Sequence, residues 1–351
     1  MSAKIRTRIY VACFALSLAV LGINMLGTGA QENSTMSAST TSDPPAVQDH
    51  LEAARLLAGS DPDFQGTLSL CLTPEAYRQF LAEGEKNLVV APPTKVFDQL
   101  YYLGMNSVGS WALVTSDGII QFDALDNAEE AQRIIVGGYK KLGLDPAKIK
   151  YLVISHGHGD HYGGAKYLQD TYHPRVIMGP ADWDMIAKLP VKNAAGNLLP
   201  PPPARDMDAV DGQQLTLGKT TVTLYITPGH TPATISAIIP VTDHGQRHLL
   251  SFWGGTAFSQ NSQALALYKN SLIRYIKIGQ DAGVDGYISN HTWFENTYTD
   301  GKTDKIAKLQ SRKPGQPHPF ILGQSSFVRY MMIHYECLDA AQARIQAKAS
   351  P

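Results

Sequence analysis

Six residues at the end of one apolar strand constrain this chain most. Lys150 to Ser155 (Lys-Tyr-Leu-Val-Ile-Ser) is a nearly continuous apolar run, the pattern of a strand covered on both faces. It leads directly into His156-Gly157-His158-Gly159-Asp160-His161. Three imidazoles and a carboxylate thus fall within six residues on a loop at a strand end. Neutral imidazole nitrogen and carboxylate oxygen both suit zinc. Alternate residues of an extended stretch share a side, so His156 and His158 can grip one ion while Asp160 and His161 reach a second. The intervening glycines leave room for crowded ligands and permit unusual backbone angles. A metal-free cluster of surface histidines is the bland alternative, and it does not account for this density at one strand end.

Two later loops repeat the arrangement. Thr227-Pro228-Gly229-His230-Thr231 follows the strand Thr221 to Ile226, and Ser289-Asn290-His291-Thr292 follows a short strand from Tyr287 to Asn290. Alone, His230 or His291 reads as an ordinary loop residue. Beside the first cluster they complete two sites, one of three histidines and one of an Asp with two histidines.

The elements between these loops set the architecture. Strand-like runs are expected at Phe97 to Gly104, Ser110 to Thr115, Gly118 to Phe122, Lys150 to Ser155 and Arg175 to Met178, separated by glycine and Ser-Asp-Gly turns. Helices are expected from Asp126 to Leu142, Gly164 to Tyr172 and from Pro180-Ala181-Asp182-Trp183, with Pro200 to Asp211 a surface loop. Strands resume at Gln214 to Leu217, Thr221 to Ile226, Thr234 to Pro240 and His248 to Trp253. Long helices follow, from Gln263 to Ala282 and from Ser325 to Ala347. Strands then helices, twice over, predict an α/β fold of two mixed sheets face to face with helices outside, a four-layer αββα sandwich.

Ahead of that domain, Lys4, Arg6 and Arg8 precede an apolar stretch from Ile9 to Leu26, and Thr28-Gly29-Ala30 offers small residues for cleavage. Residues 1–30 therefore read as a signal peptide, with an uncleaved anchor as the alternative. The expected destination is periplasmic or secreted, with no stable membrane association once the segment is gone. Residues 31–50, rich in Ser, Thr, Ala and Pro, read as a flexible leader. Residues 51–90 read as a mainly helical extension and 91–351 as the catalytic domain. Cleavage leaves 27 basic and 31 acidic residues, a balance that points to no nucleic-acid partner. Cys71 and Cys337 remain in the mature chain; in an oxidising compartment they are either a disulfide or two buried thiols.

Taken together, HxHxDH, Thr-Pro-Gly-His-Thr and the last strand-end histidine resemble the metallo-β-lactamase superfamily, over roughly residues 95 to 295. They are most similar to the third subclass of zinc β-lactamases. That resemblance implies two zinc ions per chain, one held by His156, His158 and His230, the other by Asp160, His161 and His291. It also implies that Lys95 to Gly104 is the opening strand. Asp123 looks like the family's buried carboxylate that orients a ligand histidine; a cap on the next helix is the alternative. Relatives of the glyoxalase, phosphodiesterase and lactonase types carry a metal-bridging Asp after the strand ending at Trp253, and the first lactamase subclass carries a cysteine ligand near there. Here Gly254-Gly255-Thr256 follows, and Asp243, Asp281 and Asp285 are the only acids between His230 and His291. The chain departs from the third subclass at Gly159 and Tyr162. Thr256 and Ser259 are weaker candidates for binding a substrate carboxylate, since such residues usually serve local backbone groups.

The implied reaction is hydrolysis of a small-molecule β-lactam, and so inactivation of an antibiotic, by a zinc-held hydroxide. Asp160 would bind metal and orient that nucleophile. A hydrolase of another ester, lactone or amide uses the same parts. A non-catalytic metal-binding protein would have lost ligands, and all six are present. No oligomeric state follows from the sequence.

Overall fold

The computed structural model describes residues 43–193, 195–259 and 261–349. The first sheet has seven strands in spatial order: β1 (Thr94–Lys95), β2 (Leu100–Tyr102), β3 (Trp111–Thr115), β4 (Gly118–Phe122), β5 (Ile149–Val153), β6 (Arg175–Met178) and β7 (Met207–Asp208). Neighbours are antiparallel as far as β4 and parallel from β4 to β7. The second sheet contains β8 (Gln213–Leu217), β9 (Thr220–Ile226), β10 (Ile235–Asp243), β11 (Gln246–Trp253) and β12 (Gly286–Ser289). Its order is β12-β11-β10-β9-β8, with only the β11–β12 pair parallel.

Side-chain alternation explains how the layers stack. In β3, Trp111 and Leu113 face the core between the sheets while Ala112 faces the outer helices. Val153 and Ile177 likewise point inward while Leu152, Val176 and Met178 point outward, the period of two that a strand imposes. From the second sheet Leu224, Ile235, Ala237, Leu250, Phe252 and Ile288 complete the central core. Ile238, Trp253 and Tyr287 turn the other way, against the helices Ser262–Ala282 and Gln324–Ala349. The helices Ala165–Tyr172 and Pro180–Ile186 cover the first sheet. This is the four-layer αββα sandwich. Each large apolar side chain so buried contributes about 1.5–3 kcal/mol.

Several local expectations need correction. The segment Lys95 to Gly104 is not one strand but a hairpin, with Thr94 opposite Tyr102. It turns because the amides of Val96 and Phe97 both donate to the Leu100 carbonyl. The stretch Pro200 to Asp211 is not wholly a loop, since β7 extends the first sheet and Trp183 Nε1 donates to the Met207 carbonyl. Of Asp126 and Asn127, both suited to cap the next helix, Asn127 is the cap, its side chain accepting from the Glu130 amide, but that helix passes through a π-helical segment at Ala131–Val136.

The expected signal segment and the leader up to residue 42 lie outside the described residues. The rest of the leader is not flexible coil: a helix begins at Pro45 and runs to Ala58, because Val47 is fully buried and Pro suits a first turn. Arg344 ties Asp43 down at 2.8 Å. The extension continues through short helical turns at Pro62–Gln65 and Thr67–Cys71 into the helix Pro74–Lys86. Cys71 and Cys337 are joined in a disulfide. No helix among the described residues is long and apolar enough to cross a membrane.

Candidate metal centre

Beyond β5 the backbone turns and enters a single helical turn, Gly159–Tyr162. His156 and His158 therefore lie in the turn, and Asp160 and His161 on the short helix rather than on a loop. Neither Gly157 nor Gly159 has the unusual backbone angle expected of it, for both have ordinary φ. Space is what Gly157 supplies, since a Cβ there would lie 2.6 Å from Met185 Cε. Gly229 does need its freedom: its φ is +135°, and a Cβ would lie 2.4 Å from Tyr268. That turn aims His230 back at the β5 loop.

The first three histidines meet as the sequence implies. His156 and His230 bring their Nε2 atoms within 3.0 Å, and donor atoms of His156, His158 and His230 all lie within 4.8 Å of one another. Outward-facing bonds fix the tautomers of two of them. His156 Nδ1–H donates to the Gly254 carbonyl at 2.9 Å and His230 Nδ1–H to the Ala257 carbonyl at 2.6 Å. Each Nε2 lone pair is thereby turned into the site.

Alongside, with the His156 and His161 rings 4.2 Å apart, stands the second set. Asp160 Oδ2 lies 3.2 Å from His161 Nε2 and 3.5 Å from His291 Nε2, and those two nitrogens are 3.3 Å apart. His161 Nδ1 faces Asp123 Oδ2 at 3.0 Å, and His291 Nδ1–H donates to the Ser107 carbonyl at 3.1 Å. Asp123 does not cap the next helix, which Asn127 does. Its carboxylate instead takes His161 and both the amide and hydroxyl of Ser155.

Charge agrees with geometry. Burial and the neighbouring imidazoles push His156 and His230 well below the ordinary histidine range. Burial and His161 lower His291 to about 4. Burial works against His161 too, yet Asp160 and then Asp123 raise it to about 10. Burial also favours the neutral form of Asp160, but His161 and His291 hold its carboxyl far below the usual range. Facing lone pairs at 3.0 Å repel unless a cation or proton lies between them. Neutral imidazoles and an ionised carboxylate are the forms that bind metal; His156, His230, His291 and Asp160 hold them, while the proton that Asp160 and Asp123 hold on His161 is the positive charge a divalent ion would replace.

Three supporting residues carried no recognisable signal in the sequence. Asp182, read there only as part of a helix start, accepts from Gly157 N, Thr231 Oγ1 and Ala233 N at 2.9, 2.6 and 2.9 Å. It pins the His156–His158 turn to the His230 loop. Asn290 donates to Ser155 Oγ and the Gly254 carbonyl. Glu295 accepts from the Ser289 amide and hydroxyl, and His291 N donates to that hydroxyl oxygen. Asp243, Asp281 and Asp285 are engaged away from the centre, with Arg312, Lys277 and His248. Thr256 is fully buried with its hydroxyl unpartnered, so it is not presented to a ligand. Ser259 is exposed beside His230 in a cleft of about 270 Å³, although its Oγ accepts from Asn261 N.

Residues 106–244, which contain Asp123 and every proposed ligand but His291, match the family model of the metallo-beta-lactamase superfamily. The chain carries a metallo-β-lactamase superfamily domain. Its fold is similar to that of BJP-1, a subclass B3 metallo-β-lactamase of Bradyrhizobium japonicum, at 24% identity and a TM-score of 0.61, over 74% of this chain and 97% of that one. A metallo-β-lactamase of Cronobacter sakazakii is similar at 27% identity and a TM-score of 0.59, over 74% and 96%. MEM-A1, a subclass B3 metallo-β-lactamase from a soil metagenome library, is similar at 22% and 0.60, over 74% and 98%. The metallo-β-lactamase domain thus places its histidine-bearing loops on one rim, where β5, β9 and β12 end.

Proposed function

We propose that the chain is a secreted hydrolase that binds two zinc ions and opens the β-lactam ring. One observation carries this reading: a three-histidine set stands against an Asp-His-His set, and β11 ends in Gly254-Gly255-Thr256 with neither carboxylate nor cysteine. His156, His158 and His230 would hold one ion, and Asp160, His161 and His291 the other. Two zinc ions supply Lewis acidity and a water acidified to near-neutral pKa. Asp160, half-buried, lies beside His161 and His291 and would hold the attacking water in line. Asp123 keeps the His161 ring from rotating. The Cys71–Cys337 disulfide supports an oxidising destination, periplasmic or secreted.

Burial of Thr256 favours a second reading, hydrolysis of another ester, lactone or amide, because it leaves Ser259 alone of the two hydroxyls to meet a β-lactam carboxylate. The deciding experiment is elemental analysis of the purified protein together with assays on a chromogenic cephalosporin, imipenem, a lactone and a simple ester, with and without chelator. Two zincs per chain and chelator-sensitive cephalosporin hydrolysis support the first reading. Lactone or ester cleavage with intact β-lactams supports the second. Undiminished zinc in His158→Ala and His230→Ala would defeat both.

A further inference from the structure

We propose that the extension's helix Pro74–Lys86 supplies an aryl-binding wall to this centre, so that the substrate carries an aromatic substituent lying against Tyr77, Phe80 and Trp293. The proposal rests on reading the centre as hydrolytic. The wall starts at a proposed ligand. Trp293 stacks on His291, ring centroids 5.3 Å apart and planes at 24°. Phe80 meets Trp293 edge-on at 6.0 Å, and Tyr77 stacks on Phe80 at 6.2 Å. Phe258, on the segment after β11, packs edge-on to Tyr268 at 5.6 Å and borders the same core cluster as Tyr77 and Trp293.

The helix is built to present this stripe. Thr73 caps it by accepting from the Ala76 amide, and Pro74 opens its first turn. Tyr77, Phe80 and Leu81 then fall on one face at the spacing of a helical turn. Yet no residue of this helix is fully buried. Tyr77, Phe80, Trp293 and Phe258 are all half-buried, so the stripe keeps part of its ring surface exposed. Ring faces and edges arranged this way favour a further ring over an alkyl group, through offset or edge-to-face contact at about 4.5–7 Å.

The test uses the full zinc-loaded protein and two probes, N-phenylacetylglycine and N-acetylglycine, titrated by tryptophan fluorescence. Trp111, Trp183 and Trp253 are buried in the cores, so the response reports Trp293, and Trp293→Phe should remove it. The phenylacetyl probe should bind about ten-fold more tightly, the worth of one aromatic contact of about 1.4 kcal/mol. Phe80→Ala and Tyr77→Leu should each erase most of that difference, with Phe80→Leu, which keeps an apolar side chain, as the folding control. Equal affinity for the two probes, or a preference untouched by both Phe80→Ala and Tyr77→Leu, overturns the proposal. Wild-type protein that hydrolyses nothing yet prefers the phenylacetyl probe would refute the hydrolytic reading and leave the wall standing.

Discussion

Asp123 holds His161 at 3.0 Å in a space from which water is excluded, and the same carboxylate takes the Ser155 amide at 2.7 Å. Ser155 adjoins His156, so one side chain braces both donor sets. It does so from a left-handed backbone position, φ +56°, uncommon for a residue with a Cβ. Replacing it by Asn keeps an acceptor for Ser155 and removes the charge behind His161. Asp123→Asn should weaken the more labile zinc by about 10–100-fold, read by competition with a graded chelator. Unaltered affinity for both ions would count against the brace.

Asp160 is the one side chain given both a ligand and a nucleophile-orienting role. Asp160→Ala should keep about one zinc per chain and lose turnover by about two orders of magnitude or more. Elemental analysis and single-turnover kinetics on a chromogenic substrate measure the two effects separately. Full activity with one zinc would remove Asp160 from the chemistry.

Asp182 touches no proposed ligand atom, yet its removal leaves the Gly157 and Ala233 amides and the Thr231 hydroxyl without an acceptor. Asp182→Ala should cost about 2–4 kcal/mol of stability and loosen the three-histidine set. A shifted urea midpoint accompanied by lower zinc occupancy is the expected result; loss of stability alone would confine Asp182 to a packing role.

The Cys71–Cys337 disulfide spans 266 residues of sequence. Reducing it, or replacing both cysteines by Ser, should cost about 2–5 kcal/mol. Thermal melts with and without reductant check this, and the double variant should no longer respond to reductant.

His334 gives an acid dependence outside the metal centre. Burial lowers its pKa to about 4, although Nδ1–H donates to the Tyr330 carbonyl; in the unfolded chain a histidine titrates near about 6.5. Between those values the unfolded chain binds a proton that the folded chain does not. Stability therefore falls as pH drops through that window, by about 3 kcal/mol at its lower end. Urea melts from pH 7 to 4 should show a shallower fall for His334→Leu than for the wild type. Parallel pH profiles would assign the acid lability elsewhere.

Much of the frame was legible because it rests on local patterns. Lys150 to Ser155 reads as a doubly covered strand from its own composition, and the run from His156 to His161 announces a metal centre by spacing alone. Asp182 did not show, because it acquires its role from partners distant in the chain, and Glu295 did not because it sits in an irregular loop that carries no period, six positions after Ser289. Asp182 meets Gly157 from 25 positions away and Ala233 from 51, and no local pattern encodes such a meeting. β7 escaped for another reason: two residues in a proline-rich stretch carry no period, and only pairing with β6 makes them a strand. The turn at Val96 to Gln99 was hidden by strand-forming residues whose amides close on Leu100.

The disulfide also orders events in time. Tyr77 and Phe80 are made early in synthesis, but the crosslink just before them needs Cys337, 266 residues later. Vectorial synthesis delivers the N-terminal partner first, so this covalent latch can close only after nearly all of the chain has emerged. The first segment of the described structure to be made is the last to be locked, and a chain interrupted before residue 337 would carry its donor-bearing loops beside a wall with no latch.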